Sequence, residues 1–277
     1  MRLRFGLLTF LIIFLSSCAI YGGYTGKHSR STSLVQFLYP DGDLPMQDLP
    51  NPVLNLPLKV GLAFVPASRD LVFSQSYKTQ MLEDIKSAFE SRVYIDEITV
   101  IPEIYLRQES GFNALEQIKR LYSLDVIALV SYDQTTYRDD NVLSLSYLTV
   151  VGAYIFPGTS YEVNTLIDLA VIDIESHSIL FRSAGTSGGK GATTLVGKNR
   201  AFRKKQSGGF EQAMQQMHYN LQVELGKFEQ RLRERKPNEK IQVKHRQGYS
   251  GGSIPLSLLL LLAMLSLVKK AHARKKY

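Results

Sequence analysis

The sequence predicts an α/β domain built on one mixed β-sheet with helices packed against it, with α+β as the nearest alternative. Three observations carry that expectation. Strand-like apolar runs alternate with two amphipathic helical patterns between residues 58 and 132, the hydrophobic period then changes to that of an antiparallel pair over residues 161–182, and one apolar stripe marks a long helix over residues 210–235. A β-α-β-α-β start with short links implies parallel neighbours, and the hairpin that follows makes the sheet mixed.

Taken in order, residues 18–57 are rich in Gly, Ser, Tyr and Pro, and Pro40, Pro45, Pro50, Pro52 and Pro57 interrupt any periodic pattern. This stretch reads as a tether or strap whose Leu34, Val35, Phe37 and Leu38 are available to pack on the domain. The globular part is expected over residues 58–232, long enough for one sizeable core. Its first strand, residues 58–65, is closed by Pro66. Tyr77, Met81, Ile85, Ala88 and Phe89 then recur at helical spacing from an N-cap at Ser74 or Ser76 up to Arg92.

Residues 98–101 give a second strand, and Phe112, Leu115, Ile118 and Tyr122 a second helix capped by Ser110. Residues 126–132 are apolar enough for a central third strand. The pair 161–174 and 179–182 is joined by Glu175-Ser176-His177-Ser178. In the closing helix Met214, Met217, Leu221, Leu225, Phe228 and Leu232 lie alternately three and four apart, which is one packed face. Residues 233–250 form a basic linker.

Charge excludes one class of partner. The formal net charge is +8, but Arg2 and Arg4 at one end and five cations at the other hold most of it. Residues 18–250 carry +1, and residues 231–246 alone +5, so residues 18–230 carry −4 and nucleic acid loses its support as a ligand.

Motifs for catalysis are weak. Gly185-Thr186-Ser187-Gly188-Gly189 matches G-x-S-x-G in letters, but the glycine-rich run after it is expected to be a mobile loop, not the helix a nucleophile elbow requires. The same stretch lacks the first Gly (Ala184) and the Ser or Thr after Lys190 that a phosphate loop needs, since Gly191 stands there. Asp133, Asp139 and Asp140 are expected in a solvated loop, although a carboxylate pair there would suit acid-base work. The histidines at 28, 177, 218, 245 and 272 lack ligand spacing, so neither a metal nor another cofactor is expected. Residues 143–156 are nearly free of charge and read as a core strand or short buried helix, or else as an apolar surface for a partner or a bilayer.

Both ends carry targeting signals. Arg2 and Arg4 precede an apolar run, and Leu15-Ser16-Ser17-Cys18 follows as a lipobox: the small Ser16 and Ser17 admit the lipoprotein signal peptidase, and the Cys18 thiol accepts diacylglycerol. Residues 1–17 are then the signal peptide. Cys18 is the single cysteine, so no internal disulfide is available. Ala19 rather than Asp follows it, which by resemblance to bacterial sorting rules favours the outer membrane.

At the other end, Gly251-Gly252-Ser253 opens residues 251–277. The apolar run 254–268 spans roughly 22 Å as a helix against about 30 Å of hydrocarbon. Lys269, Lys270, Arg274, Lys275 and Lys276 follow without an acid and hold this terminus in the cytoplasm. Gly251, Gly252 and Pro255 weaken the helix where an intramembrane protease needs extended chain.

Gly-Gly-Ser, a short apolar helix and a basic cluster together resemble the GlyGly-CTERM signal processed by rhombosortases, and with the lipobox the chain resembles the rhombotarget lipoproteins. That resemblance implies Gram-negative envelopes with type II secretion, and display at the outer membrane or cell surface. The order of elements over residues 58–232 also resembles, in topology alone, the α/β domains of envelope lipoproteins that help assemble curli export pores or activate peptidoglycan synthases. The expected function is a lipid-anchored, non-enzymatic binding or assembly module. A secreted serine hydrolase using Ser187 and a periplasmic adaptor using residues 143–156 are the alternatives.

Overall fold

The computed structural model describes residues 26–42, 50–66, 75–234 and 241–246. The lipobox residues Leu15, Ser16, Ser17 and Cys18 lie outside the described residues, as do Gly251, Gly252, Ser253 and the five terminal cations. By contacts the chain divides into Met1–Lys244 and His245–Tyr277, and the fold below is that of the first unit.

The sheet follows from where apolar runs are long enough to be buried on both faces. Strand β3 (Leu58–Phe64) pairs in parallel with β4 (Ile95–Val100) on one side and with the start of β5 (Val126–Asp140) on the other. Helices α2 (Gln75–Glu90) and α4 (Gly111–Tyr122) make these crossovers, with the short α3 (Ile104–Arg107) before α4. β5 then pairs antiparallel with β6 (Thr159–Asp173), and β6 with β7 (Ser178–Thr193), giving the order β4-β3-β5-β6-β7. The fold is therefore the α/β mixed sheet with a parallel start, an antiparallel hairpin and a long closing helix, α6 (Lys198–Glu234).

Helices cover both faces at the base of the sheet. On one, Leu115 and Ile118 of α4 pack with Ile127, Leu129, Ala170 and Ile172. On the other lie α2 and α6, where Phe210 meets Tyr132 edge-on at 5.6 Å and Phe228 meets Tyr94 at 5.8 Å. Each fully buried Leu, Ile or Phe there contributes about 1.5–3 kcal/mol, so this double core is what holds the base together. Ser110 stands at the N-cap of α4 in extended conformation, but its hydroxyl makes no capping bond.

As expected, part of the strap packs on the domain: α1 (Leu34–Leu38), capped by the Ser33 hydroxyl, buries Leu34, Phe37 and Leu38 in the core while Val35 stays exposed. Other expectations are corrected. The strap also supplies a strand, β1 (Gly26–Ser31), which pairs antiparallel with the far half of β5. The linker after α6 likewise contributes β8 (Gln242–His245), which pairs with β2 (Val53–Leu56); the Gln242 amide donates to the Pro52 carbonyl. Asp133, Asp139 and Asp140 are not in a loop, because β5 continues for eight residues past Tyr132.

The largest correction concerns the glycine-rich run from Gly185 to Thr194, expected as a mobile loop. It is the outer half of β7, which runs to Thr193 before the turn into α6. The glycines are there for closeness, not for freedom. In β7 every second residue faces α6, and a Cβ on Gly185 would lie 2.1 Å from the Ala213 carbonyl oxygen, while one on Gly191 would meet the Tyr161 ring at 2.5 Å.

Because β5, β6 and β7 are each 15 or 16 residues long, their outer halves project beyond the base and, with β1 on the free edge of β5, make a four-stranded arm with α6 along one face. That interface is largely polar. Gln134 Nε2 donates to Thr165 Oγ1 at 2.9 Å and to the Gln206 carbonyl at 2.9 Å, and Gln206 Nε2 donates to Thr136 Oγ1 at 3.2 Å. Buried amides paired in this way fix the register of helix on sheet, and Phe202 of α6 adds an aromatic contact, edge-on to Tyr161 at 4.9 Å.

Candidate functional site

Residues 142–156 form the tip of this arm, joining β5 to β6. A 3-10 turn (Val142–Leu148) leads into the short helix α5 (Val150–Ile155). The sequence favoured a core position for this segment, and the structure overturns it: Leu148 is 76% exposed, Val150 79% and Ile155 63%. Val142, Val151 and Tyr154 are exposed beside them, and Leu195 and Val196 join from the β7–α6 turn, where the Val196 amide reaches the Ala153 carbonyl at 3.5 Å. Scattered exposed apolar residues are ordinary. Here eleven of the twenty-two exposed large apolar side chains among the described residues gather at one end of the arm.

The tip is polar inside and apolar outside. Asn141 Oδ1 accepts from the Leu143 amide at 2.9 Å, and Thr149 Oγ1 caps α5 by accepting from the Gly152 amide at 3.0 Å. Ser146 Oγ donates to the Leu143 carbonyl at 2.6 Å. Tyr147 turns its hydroxyl inward to the Thr193 carbonyl at 3.1 Å, and Thr159 Oγ1 donates to Asp140 at 2.7 Å. Gly152 and Gly158 permit this folding-in, since a Cβ at either would lie within 2.4 Å of the Ser146 or Ser144 backbone. The segment thus turns Asn141, Ser146, Tyr147 and Thr149 inward and leaves its large apolar side chains exposed.

Behind the tip the charge is one-sided. Residues 198–205, the first two turns of α6, contain five cations and no carboxylate, and Arg200, Arg203 and Lys204 are exposed. Cations at a helix N-terminus oppose the macrodipole, so helix stability does not account for them. No charged residue occurs from Asn141 to Tyr161. The nearest carboxylates are Asp139, Asp140 and Glu162; Asp140 is engaged by Thr159, and Glu162 by Lys190 at 3.6 Å.

The other candidates do not come together as sites. Ser187 lies in mid-strand facing α6, where its Oγ donates to Gln212 Oε1 at 3.2 Å; the chain runs straight on to Thr193 instead of turning into a helix, so the elbow is absent. Lys190 points to the opposite face. Asp133 and Asp139 share the arm's open face, where a cleft of about 690 Å³ is lined by Lys27, Tyr137, Asp139, Glu162 and Lys190, charges of both signs. His177 stacks on Phe112 at 3.7 Å in the β6–β7 turn, while His218 lies on α6 in the groove facing α2. Among the described residues no helix is long and apolar enough to cross a membrane.

One buried charge cluster stands apart. Lys78 of α2 donates to Glu103 with both side chains buried, and Arg107 Nη2 donates to the same carboxylate at 2.8 Å. Burial raises the Glu103 pKa, but the two cationic donors more than reverse that and hold it below the ordinary carboxylate value. The cluster ties α2 to α3 at the base, far from the tip in chain topology.

What these features define is an α/β domain with an apolar-tipped, basic-collared arm. No protein-family model matches the chain, and no curated protein matches it in sequence. Among solved structures, it is similar to a PelC dodecamer from Paraburkholderia phytofirmans (12% identity, TM-score 0.25, covering 69% of this chain and 99% of that one). It is also similar to a neuraminyllactose-binding hemagglutinin homolog from Helicobacter pylori (12% identity, TM-score 0.35, covering 69% and 97%). Scores at this level carry no argument about function.

Proposed function

We propose that the chain is an exported envelope lipoprotein, lipidated at Cys18, trimmed near Gly251-Gly252 by a rhombosortase-type intramembrane protease and displayed at the outer membrane or cell surface, with a folded domain that is a non-enzymatic binding or assembly module. The two terminal motifs support the first part. The observation that supports the second is the outward-facing apolar tip over residues 142–156, a surface that makes physical sense only when something covers it. The same surface serves the adaptor reading, in which a component of a membrane assembly is the partner. The hydrolase reading finds no such support, because Ser187 is held between strand and helix.

The test is the intact mass of the mature protein from cells with and without the intramembrane protease. Acyl mass on Cys18 and a C-terminus near Gly251 are expected with the protease, and a longer chain without it. An unacylated chain that keeps Tyr277 in both strains overturns the proposal.

A further inference from the structure

We propose that the arm tip, residues 142–156 with Leu195 and Val196, dips into the same anionic bilayer that holds the Cys18 acyl chains and so stands the domain on the membrane by its arm. The inference rests on the lipidation reading above for the identity of that bilayer, and on three features of the structure for the contact.

The first is where the chain enters. Gly26 lies opposite Arg138, two residues from the end of β5, and β1 runs away from the tip. Seven residues separate Cys18 from Gly26, so a lipidated Cys18 lies no further than about 30 Å from Gly26, which itself pairs two residues short of the tip end of β5. Tethering at that range makes tip insertion intramolecular, and a weak intrinsic affinity is then enough.

The second is the inside-out construction of the tip. Water tolerates unpaired amides and penalises exposed Leu and Val, whereas hydrocarbon does the reverse. Within this tip the Asn141, Ser146, Tyr147 and Thr149 groups are engaged internally, while the apolar side chains face out.

The third is the collar. Five cations over residues 198–205 sit just behind the apolar surface, where the headgroups of a bilayer would lie if the tip entered the acyl region by one helix width. An apolar end backed by uncompensated positive charge complements anionic lipid. A second copy of this chain would bring the same positive charge to the contact and be repelled.

The sequence contains no Trp, so one introduced Trp reports its own surroundings. Full-length Leu148→Trp, and Tyr219→Trp as a control on an exposed part of α6, are reconstituted in phosphatidylethanolamine vesicles containing phosphatidylglycerol with brominated acyl chains. Each is prepared acylated and as Cys18→Ala. We expect the Leu148→Trp emission to shift blue and to lose roughly half its intensity or more to the bromines, with the control unchanged. Adding Lys198→Gln and Arg200→Gln is expected to weaken partition of the Cys18→Ala chain about five-fold per charge, and only on vesicles with phosphatidylglycerol.

Because the signal comes from position 148 alone, neither acyl chains nor the terminal apolar run contributes to it. An unquenched, red-emitting Leu148→Trp in a folded, acylated protein overturns the proposal while leaving lipidation intact. A blue shift that grows with protein concentration and ignores the bromines also overturns it, in favour of self-association. Quenching that persists in Cys18→Ala supports the tip contact even if Cys18 proves unacylated in cells.

Discussion

Gly26 faces Arg138 across the antiparallel ladder between β1 and β5, and this pairing puts the start of the domain beside its apolar tip. Without it, a segment rich in Gly, Ser and Pro would say nothing about which end of the molecule an N-terminal anchor holds. With it, β1 fills the sheet edge left open where β3 stops, since β3 covers β5 only as far as Val130 and β1 takes over from Asp133.

The exposed tip should tolerate charge. Val150→Asp combined with Ile155→Asp is expected to change unfolding free energy by no more than about 0.5 kcal/mol per site, as surface substitutions do. It should also abolish vesicle or partner capture. Thermal unfolding followed by circular dichroism is the check; a large loss of stability would mean that these side chains are packed after all.

Glycines of the arm and of α6 should respond in opposite ways. Gly185→Ala sets a methyl against the α6 backbone and is expected to cost about 3 kcal/mol. Gly226→Ala, where a Cβ meets nothing within 4 Å, should add about 0.5–1 kcal/mol by helix propensity. Urea denaturation of both variants measures the contrast.

Breaking the buried cluster should be expensive. Glu103→Gln leaves Lys78 buried without its counter-charge and is expected to cost about 3–5 kcal/mol.

The same cluster sets an acid limb. The Glu103 pKa is lowered in the folded state relative to its ordinary 4.5, so its contribution is fully present above that value and is lost as pH falls below it through the folded pKa. Wild-type stability should therefore decline with acid below about pH 4.5, and the Glu103→Gln variant should show a shallower decline in the same titration.

A fluorophosphonate probe should leave the purified protein unlabelled. Labelling that disappears in Ser187→Ala would establish the hydrolase reading and require the β7–α6 contact to open.

The parts of the fold that were legible from the sequence are those where burial is apolar and periodic. Leu58 to Phe64, Val126 to Val130, the α2 stripe through Ile85 and Phe89, and the α6 stripe from Met214 to Leu232 all announce themselves, because a residue facing a dry core must be hydrophobic at the period of its element. The outer arm was not legible for the converse reason. Its inner face carries Gln134, Thr136, Thr165, Gly185 and Ser187, residues that look like loop until a helix lies close enough to pair the amides and, at Gly185, to exclude a side chain altogether.

The tip shows the opposite failure. A charge-free run from Val142 to Phe156 has the composition of a core, and composition does not state which side of it faces water.

By itself, then, the sequence determined the mixed α/β class and the order of the central elements, and it carries the two terminal motifs from which anchoring is proposed. These depend on hydrophobic period and short local motifs, which are properties of neighbouring residues. Tertiary structure alone decided that a glycine run is a strand, that the strap closes a sheet edge, and that the most apolar loop points outward with a basic collar behind it. Those outcomes depend on which distant segments come within hydrogen-bonding and van der Waals range, and that is settled only once the chain has folded.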